Sequence, residues 1–242
     1  MTDGLIVVES NTDAWHEERK RFIGASEIGA VLGVDPWKTR EGLWVAKTDP
    51  NYVNESTFRM NSGHYFEEGI AQMALAYIPE LITIGGDKGM RIHDTYGYLS
   101  ATLDRHGRYM RTDGTDGLYV LDCKSGGVST HKKLKDRAKA AYDVPDKGYW
   151  LQVQQQITCA QMSLGAEIGY LAHWVGGQMF KAYRIEPCLA AQQAIIEFGG
   201  IFWDCVEKKE KPTDAMFNGL DDFLFSLDIL IQDSSCVAVQ VE

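Results

Sequence analysis

The chain has 242 residues, of which 45% are hydrophobic. Its formal net charge is −10 at pH 7. This charge argues against a protein that coats nucleic acid, because such binding depends on neutralising phosphates. No apolar run reaches the roughly 18–20 residues of a membrane-spanning helix, and Met1 to Asn11 have no basic region typical of a signal peptide. The five cysteines are scattered without a C-x-x-C pair, which argues against a structural zinc or iron–sulfur site and favours a cytoplasmic location.

The first predicted elements are a short helix or turn over residues 13–21 and a second helix over residues 26–33. In the second, Ser26 is suited to cap the helix and Gly33 to end it. The free N–H groups at such a helix start attract phosphate, more so with Arg19 nearby. An ordinary capped helix explains the same residues, so the sequence leaves both interpretations open.

Next come a short helix over residues 40–47, a polar loop over 49–62 and a longer helix over 63–78. At about 100° per residue, the longer helix has one continuous apolar arc. The arc contains Phe66, Ile70, Ala71, Met73, Ala74, Tyr77 and Ile78. Glu67 lies inside this arc and Glu68 outside it. A buried carboxylate is costly unless it is paired or bound to metal, so Glu67 is a candidate ligand, with a buried arginine partner as the alternative.

Strands follow along the middle of the chain, separated by residues that favour turns. They are predicted over residues 89–93, 96–103, 109–111 and 118–124. An antiparallel meander of these strands would bring Asp104, which ends the second run, close to Asp122. A turn role for Asp104 is the alternative.

Alternation along the last of these strands places Asp122 and Lys124 on the same face. Together with Glu67 and Asp104, this gives three acids and one lysine. Three carboxylates can hold hard divalent cations, and the carbonyl oxygen of Cys123 could be a further ligand. Lys124 could orient or deprotonate an attacking water or neutralise developing charge. A simple ion pair between Asp122 and Lys124 is the alternative.

The second half of the chain begins with a basic, helical run over residues 129–142. A helix over 149–164 follows, with Gln152 on the shoulder of its buried stripe, and its glutamine-rich run forms a solvated or packed face. A hairpin is predicted over 168–175 and 179–185, and a long helix from 187 to about 209. The acidic tail from about residue 212 to 242 contains leucines and other apolar residues at helical spacing.

In the order Glu67, Asp104, Asp122-x-Lys124, the chain resembles the PD-(D/E)xK nuclease superfamily. More closely, it is similar to the phage-type exonucleases of the lambda exonuclease and YqaJ recombinase family. The matching motifs cover about residues 15–160 and are Trp15-x-x-x-Arg19-x-x-x-Ile23-x-Ala25-Ser26-Glu27, Gly63-x-x-x-Glu67, Asp104 with Asp122-x-Lys124, and Tyr149-x-x-Gln152-Val153-Gln154.

This resemblance implies an α/β (α+β) fold with a restriction-endonuclease-like core, in which a central mixed sheet is flanked by helices in a single domain over residues 1–242. It implies two Mg²⁺ ions, replaceable by Mn²⁺, and a 5′-phosphate site. The implied metal ligands are Glu67, Asp104, Asp122 and the Cys123 carbonyl. The implied catalytic residues are Lys124, Asp122, Glu67 and Gln152. The implied DNA contacts are Arg19 and Ser26 at the 5′-phosphate, and Lys132, Lys133, Lys135 and Arg137 at the DNA backbone.

The implied activity is 5′→3′ degradation of one strand of linear double-stranded DNA, leaving 3′ overhangs for a single-strand annealing protein. Homotrimers of the family surround DNA, and a ring with a basic bore would reconcile DNA binding with the net charge. Leu103 and Arg105 stand where the family often has Pro and Gly, and Asp122 replaces a more usual Glu. One alternative is another nuclease of the superfamily, either an endonuclease or a Cas4-like enzyme. A Cas4-like enzyme normally needs four cluster cysteines, which the cysteine spacing of this chain does not supply. The other alternative is a catalytically decayed module that binds DNA ends.

Overall fold

The computed structural model describes residues 5–6, 12–53, 57–86, 89–127, 130 and 143–241. The α-helices of this part are α1 Asp13–Arg19, α2 Ile28–Val31, α3 Arg40–Thr48, α4 Phe58–Tyr77, α5 Lys147–Leu164, α6 Leu189–Lys208 and α7 Leu220–Ser234. The strands are β1 Leu5–Ile6, β2 Ile23–Gly24, β3 Met90–Ile92, β4 Leu99–Thr102, β5 Arg105–Met110, β6 Asp116–Gly126, β7 Ala166–Val175, β8 Met179–Ile185 and β9 Ser235–Val241. Short 3₁₀ turns cover Ala25–Glu27 and Asp214–Met216.

The strands form two sheets. The larger has the order β5-β6-β7-β8-β9, and the smaller has the order β1-β3-β4-β2. In the larger sheet β6 and β7 are parallel, and the other neighbouring pairs are antiparallel. Parallel neighbours need a crossover connection, which α5 supplies here. The predicted mixed sheet flanked by helices is therefore confirmed.

Two helices cover opposite faces of the larger sheet, because alternate residues of β6 belong to different apolar clusters. Tyr119 and Leu121 pack with Ile70 and Ala74 of α4. Val120 belongs to the cluster that includes α5, α6 and α7. Asp122 shares a face with Val120, as the alternation of the strand predicted, and the structure shows that this face is the α5 side.

The glutamine-rich run of α5 is packed. Gln154, Gln155 and Gln156 are fully buried, which decides between the solvated and the packed interpretation. Gln155 donates to the carbonyl oxygens of Ile23 and Ser100 at 2.8 and 2.9 Å. The amide side chain thereby joins α5 to β2 and β4, the parallel pair of the smaller sheet.

The long helix α4 differs from the predicted helix over residues 63–78 in its length and in which residues it buries. It begins at Phe58, so the end of the predicted loop over 49–62 is helical. Phe66 and Tyr77 are 43% and 47% exposed, although both were assigned to the buried arc. They contact Trp174 and Phe180 with ring centroids 5.0 and 5.9 Å apart, so they pack at the margin of the sheet.

The predicted meander is wrong in one respect. The run over 96–103 supplies β4, which belongs to the smaller sheet, and the neighbour of β6 is β5, which begins at Arg105 rather than at residue 109. Only Leu103 and Asp104 separate β4 from β5. Arg105 pairs with Leu121, so Asp104 lies beside Asp122 and Cys123. The predicted proximity of Asp104 and Asp122 is therefore correct, although the strand pairing differs.

The C-terminal part is more ordered than the predicted tail. The β7–β8 hairpin is confirmed, and α7 buries Leu220, Leu227 and Ile231 against the core. The sequence analysis missed β9, which extends the larger sheet at its β8 edge. Apart from Thr130, the predicted basic helix over 129–142 lies outside the described residues. None of the helices in the described ranges combines the length and the apolar character that crossing a membrane requires.

Candidate active site

Asp122 and Lys124 form an ion pair at the end of β6, with Lys124 Nζ 2.7 Å from Asp122 Oδ2. Asp122 is 1% exposed. Its Oδ1 accepts from Gln152 Nε2 at 2.6 Å and from Gln156 Nε2 at 2.9 Å. The α5 helix therefore fixes the carboxylate from one side, while the ammonium of Lys124 fixes it from the other. Gln152, which the resemblance implies to be an active-site residue, thus lies in contact with Asp122.

Asp104 lies next to this pair, and its Oδ2 accepts from the backbone N of Cys123 at 2.7 Å. Burial, followed by repulsion from Asp122, raises the pKa of Asp104 to about 7, although Lys124 opposes this. Burial would lower the pKa of Lys124, but Asp122 and Asp104 raise it above its ordinary value. The lysine therefore favours its charged form in this arrangement, which suits charge neutralisation better than removal of a proton.

Glu67 is 7% exposed, so its predicted inward position is confirmed. Its Oε1 accepts from Arg105 Nη1 at 2.8 Å, and its Oε2 lies 3.6 Å from His64 Nδ1. Arg105 also donates to Glu68 and to the carbonyl oxygen of Asp104. The arginine partner that the sequence analysis named as the alternative for Glu67 is thus present.

The donor chemistry of these residues fits a hard divalent cation, because three carboxylates and a carbonyl oxygen lie in one region. The pKa of Asp104 is raised by burial and then by repulsion from Asp122, and a bound cation would offset that repulsion. Within the described ranges, however, no three His, Cys, Asp or Glu side chains have the mutual spacing of a metal site. Glu67 is held by Arg105, whereas Asp122 is held by Gln152 and Gln156.

Arg19 and Ser26 also lie together, with Arg19 Nη2 donating to Ser26 Oγ at 3.0 Å. The guanidinium carbon of Arg19 is 4.6 Å from the ring centre of Trp15. The prediction that Ser26 caps a helix is wrong, because Ser26 lies inside a 3₁₀ turn whose N-cap is Gly24, and α2 has only four residues. A helix terminus therefore does not support anion binding here, and the hypothesis depends on the two side chains.

An ion pair that the sequence analysis missed lies behind Arg19. Lys47 Nζ is 2.7 Å from Glu27 Oε2 and donates to the carbonyl oxygen of Arg19 at 2.8 Å. Lys47 lies on α3, 20 residues from Glu27, and no local periodicity relates the two. The presence of Glu27 in the N-terminal motif was the available signal.

A cleft of about 190 Å³ joins these two groups of residues. Its walls include Arg19 and Ser26 together with Asp104, Lys124 and Gln152. Glu67 and His64 also line it. The cleft is thus lined by a basic side chain, Arg19, as well as by a mainly acidic group around Asp104. The candidate backbone contacts Lys132, Lys133, Lys135 and Arg137 lie outside the described residues.

The residues that line the cleft lie within a known family domain. A family model of the YqaJ-like viral recombinase domain matches residues 14–163. The protein YqaJ of Bacillus subtilis (strain 168) is 28% identical over 182 residues, which are 74% of this chain and 51% of YqaJ. The chain therefore spans about half the length of this curated relative.

Among solved structures, the alkaline exonuclease LHK-Exo from Laribacter hongkongensis is similar in fold. It has a TM-score of 0.61 and 17% sequence identity, covering 90% of this chain and 100% of the exonuclease. The shutoff and exonuclease protein of Kaposi's sarcoma-associated herpesvirus has a TM-score of 0.49 and 11% identity, covering 90% and 73% of the two chains.

Proposed function

The chain belongs to the YqaJ-like viral recombinase family, and from that premise we propose that it is a metal-dependent exonuclease that degrades one strand of linear duplex DNA in the 5′→3′ direction. The observation that carries the proposal is that Arg19 and Ser26 line the same cleft as Asp104, Lys124 and Gln152. All five residues fall within the range that the family model matches. An anion site beside a cluster of acids and a lysine suits a phosphodiester substrate.

Glu67, Asp104, Asp122 and the carbonyl of Cys123 are the groups that would hold two Mg²⁺ ions, with Mn²⁺ as a substitute. When bound, the ions supply an activated water and stabilise the leaving oxygen of the phosphodiester. Lys124 neutralises charge that develops on the phosphate, since Asp122 and Asp104 favour its ammonium form. Gln152 orients Asp122 through its hydrogen bond.

Arg19 and Ser26 hold the terminal 5′-phosphate, for which a guanidinium and a hydroxyl are suitable donors. Lys132, Lys133, Lys135 and Arg137 contact the DNA backbone. The product is a 3′ overhang for a single-strand annealing protein in the cytoplasm of the bacterial or phage-infected cell. The active form is a homotrimer around the DNA, in which the acidic surface of each chain faces away from the substrate.

The test uses a 5′-phosphorylated linear duplex with Mg²⁺, with Mn²⁺ and with EDTA, and a closed circular plasmid as a second substrate. The linear duplex is expected to shorten from its 5′ ends with either metal, while the circle stays intact. Loss of the circle would instead indicate an endonuclease. If neither substrate changes with either metal, the proposed activity is wrong and a module that only binds DNA ends remains.

Replacing the lysine tests the site itself. Lys124→Ala should reduce the rate of cleavage by about 100-fold or more, because a charged group that acts on the transition state is lost, while DNA binding in EDTA is largely kept. Lys147→Ala is the matched control, since Lys147 pairs with Asp228 at the surface. Undiminished cleavage by Lys124→Ala would mean that the assigned site is wrong.

A further inference from the structure

A buried ion pair lies directly behind the candidate 5′-phosphate site. The side chain of Lys47 is 3% exposed, and its ammonium lies 2.7 Å from Glu27 Oε2. The same ammonium donates to the carbonyl oxygen of Arg19 at 2.8 Å. Lys47 comes from α3 and Glu27 from the 3₁₀ turn that contains Ser26. The pair therefore ties α3 to both segments that carry the phosphate-binding side chains.

Glu27 connects this ion pair to the guanidinium of Arg19. Its Oε2 also accepts from the backbone N of Gly24 at 2.9 Å, and its Oε1 lies 3.5 Å from Arg19 Nη2. Ser26 and the ring of Trp15 contact Arg19 on other sides. The direction in which the guanidinium faces the cleft is thus fixed by a carboxylate, a hydroxyl and an aromatic ring.

A carboxylate this close to Arg19 would compete with a phosphate for the guanidinium. Burial would raise the pKa of Glu27, but Lys47 and Arg19 lower it to about 2, so the carboxylate is ionised at neutral pH. Burial lowers the pKa of Lys47, which Glu27 opposes. Two acceptors, Glu27 and the carbonyl of Arg19, favour the ammonium form of Lys47. Two positive groups and one negative group leave one net positive charge for the ligand.

We propose that Lys47 is a positioning residue that, together with Glu27, sets the orientation and the available charge of Arg19 and thereby the preference of the protein for a 5′-phosphorylated DNA end. The inference rests on the proposed role of Arg19 and Ser26. Lys47 itself is enclosed and reaches the substrate only through its partners. Without Lys47, the carboxylate of Glu27 would neutralise Arg19, and the terminal phosphate would meet one positive charge fewer, although Lys38 is a further cation nearby.

The test measures DNA binding in EDTA, where no cleavage occurs. Two duplexes that differ only in a 5′-phosphate or a 5′-hydroxyl are titrated by fluorescence anisotropy, and the ratio of their dissociation constants is compared between variants. The wild type should prefer the phosphate. Lys47→Met should reduce this preference about tenfold, because a charge-assisted contact is weakened.

A double variant separates charge from packing. Glu27→Gln combined with Lys47→Met removes both charges of the pair and restores one net positive charge at Arg19. Its preference should stay within about threefold of the wild type. Lys20→Met is the surface control, since Lys20 pairs with Glu17 on α1. Thermal unfolding checks that each variant is folded. If Lys47→Met does not fold, Lys47→Gln replaces it, because its amide can still donate to the buried acceptors. The same loss of preference is expected, since the positive charge is removed in both.

Two outcomes would overturn the inference on its own: a wild-type ratio in Lys47→Met, or an equal loss in the single and the double variant. A wild type that binds both duplexes equally would also overturn it, since there would be no preference to set. None of these outcomes decides whether the protein is a nuclease, because cleavage of linear duplex with Mg²⁺ is measured separately.

Discussion

Arg105 is one of the residues at which the chain departs from the resembled motif, which often has glycine there. The residue directly follows Asp104 in the sequence. Its guanidinium donates to Glu67 and Glu68 on α4. A cation and Arg105 would compete for the same carboxylate of Glu67. Glu68, whose side chain is 62% exposed, would remain as a partner for the guanidinium if Glu67 bound a metal ion as proposed.

Arg105→Met should therefore bind Mg²⁺ about tenfold more tightly than the wild type, because a competing positive charge is removed. It should also melt at a lower temperature in EDTA, since the buried Glu67 loses a partner, and show a larger rise in melting temperature with Mg²⁺. Calorimetric titration and thermal unfolding measure both quantities. Arg108→Met, an exposed position of the same strand, is the control, and weaker Mg²⁺ binding by Arg105→Met would contradict this explanation.

Glu27 gives a prediction about acid stability. Its pKa is lowered in the folded chain from the ordinary value of 4.5 to about 2, so its contribution is fully present above pH 4.5 and is lost as the pH falls from 4.5 towards 2. The difference in unfolding free energy between the wild type and Glu27→Gln should shrink over that window by up to about 3 kcal/mol. Urea unfolding at pH 6, 4 and 3 checks it, and a difference independent of pH would contradict the assignment.

Among the elements, α5 does most to hold the site, because Gln152 and Gln156 fix Asp122 while Gln155 bonds both parallel strands of the smaller sheet. Gln155→Met keeps the approximate shape but leaves two buried carbonyl oxygens without this donor. The unfolding free energy should fall by about 2–4 kcal/mol. Denaturant unfolding measures it, and Gln161→Met, on the exposed side of α5, should change it little. Equal stability of the two variants would mean that the buried amide is not needed.

The sequence was sufficient for elements whose pattern is local. The period of two along β6 placed Asp122 and Lys124 on one face, and the period of 3.6 along α4 placed Glu67 inside. The ion pair of Glu27 with Lys47 could not be predicted, since it joins separate elements. The sequence analysis did not identify Arg105 as the partner of Glu67, because Asp-Arg-His-Gly has the composition of a turn. In the structure Arg105 begins the edge strand β5.

The strand β9 was missed for a different reason. Its residues are mostly half-buried or exposed, so hydrophobic alternation along it is weak, and the preceding helical pattern of α7 dominated the interpretation. The strand is defined by hydrogen bonding to β8, which is itself buried along nearly its whole length. Edge pairing of this kind depends on the partner more than on the sequence of the edge.

At the scale of the whole molecule, α7 and β9 complete the core rather than form a separate tail. A chain that stops at Ser234 would expose the backbone groups of β8 along a hydrophobic edge. It should melt at a clearly lower temperature than the full chain and aggregate at lower protein concentration. Light scattering during thermal unfolding measures both, with Cys236→Ser on β9 as the control. Unchanged melting after truncation would show that β9 is dispensable.

Asp104 lies where the chain passes directly from the smaller sheet into the larger one. The residues that line the cleft around it span much of the chain, from Trp15 to Gln152. Contacts so distant in sequence form only after long loops have closed, which makes them late events in folding. A chain still being synthesised is therefore expected to carry the acids before it has the cleft. If the protein degrades DNA as proposed, the cell that makes it meets that activity only in molecules that have finished folding.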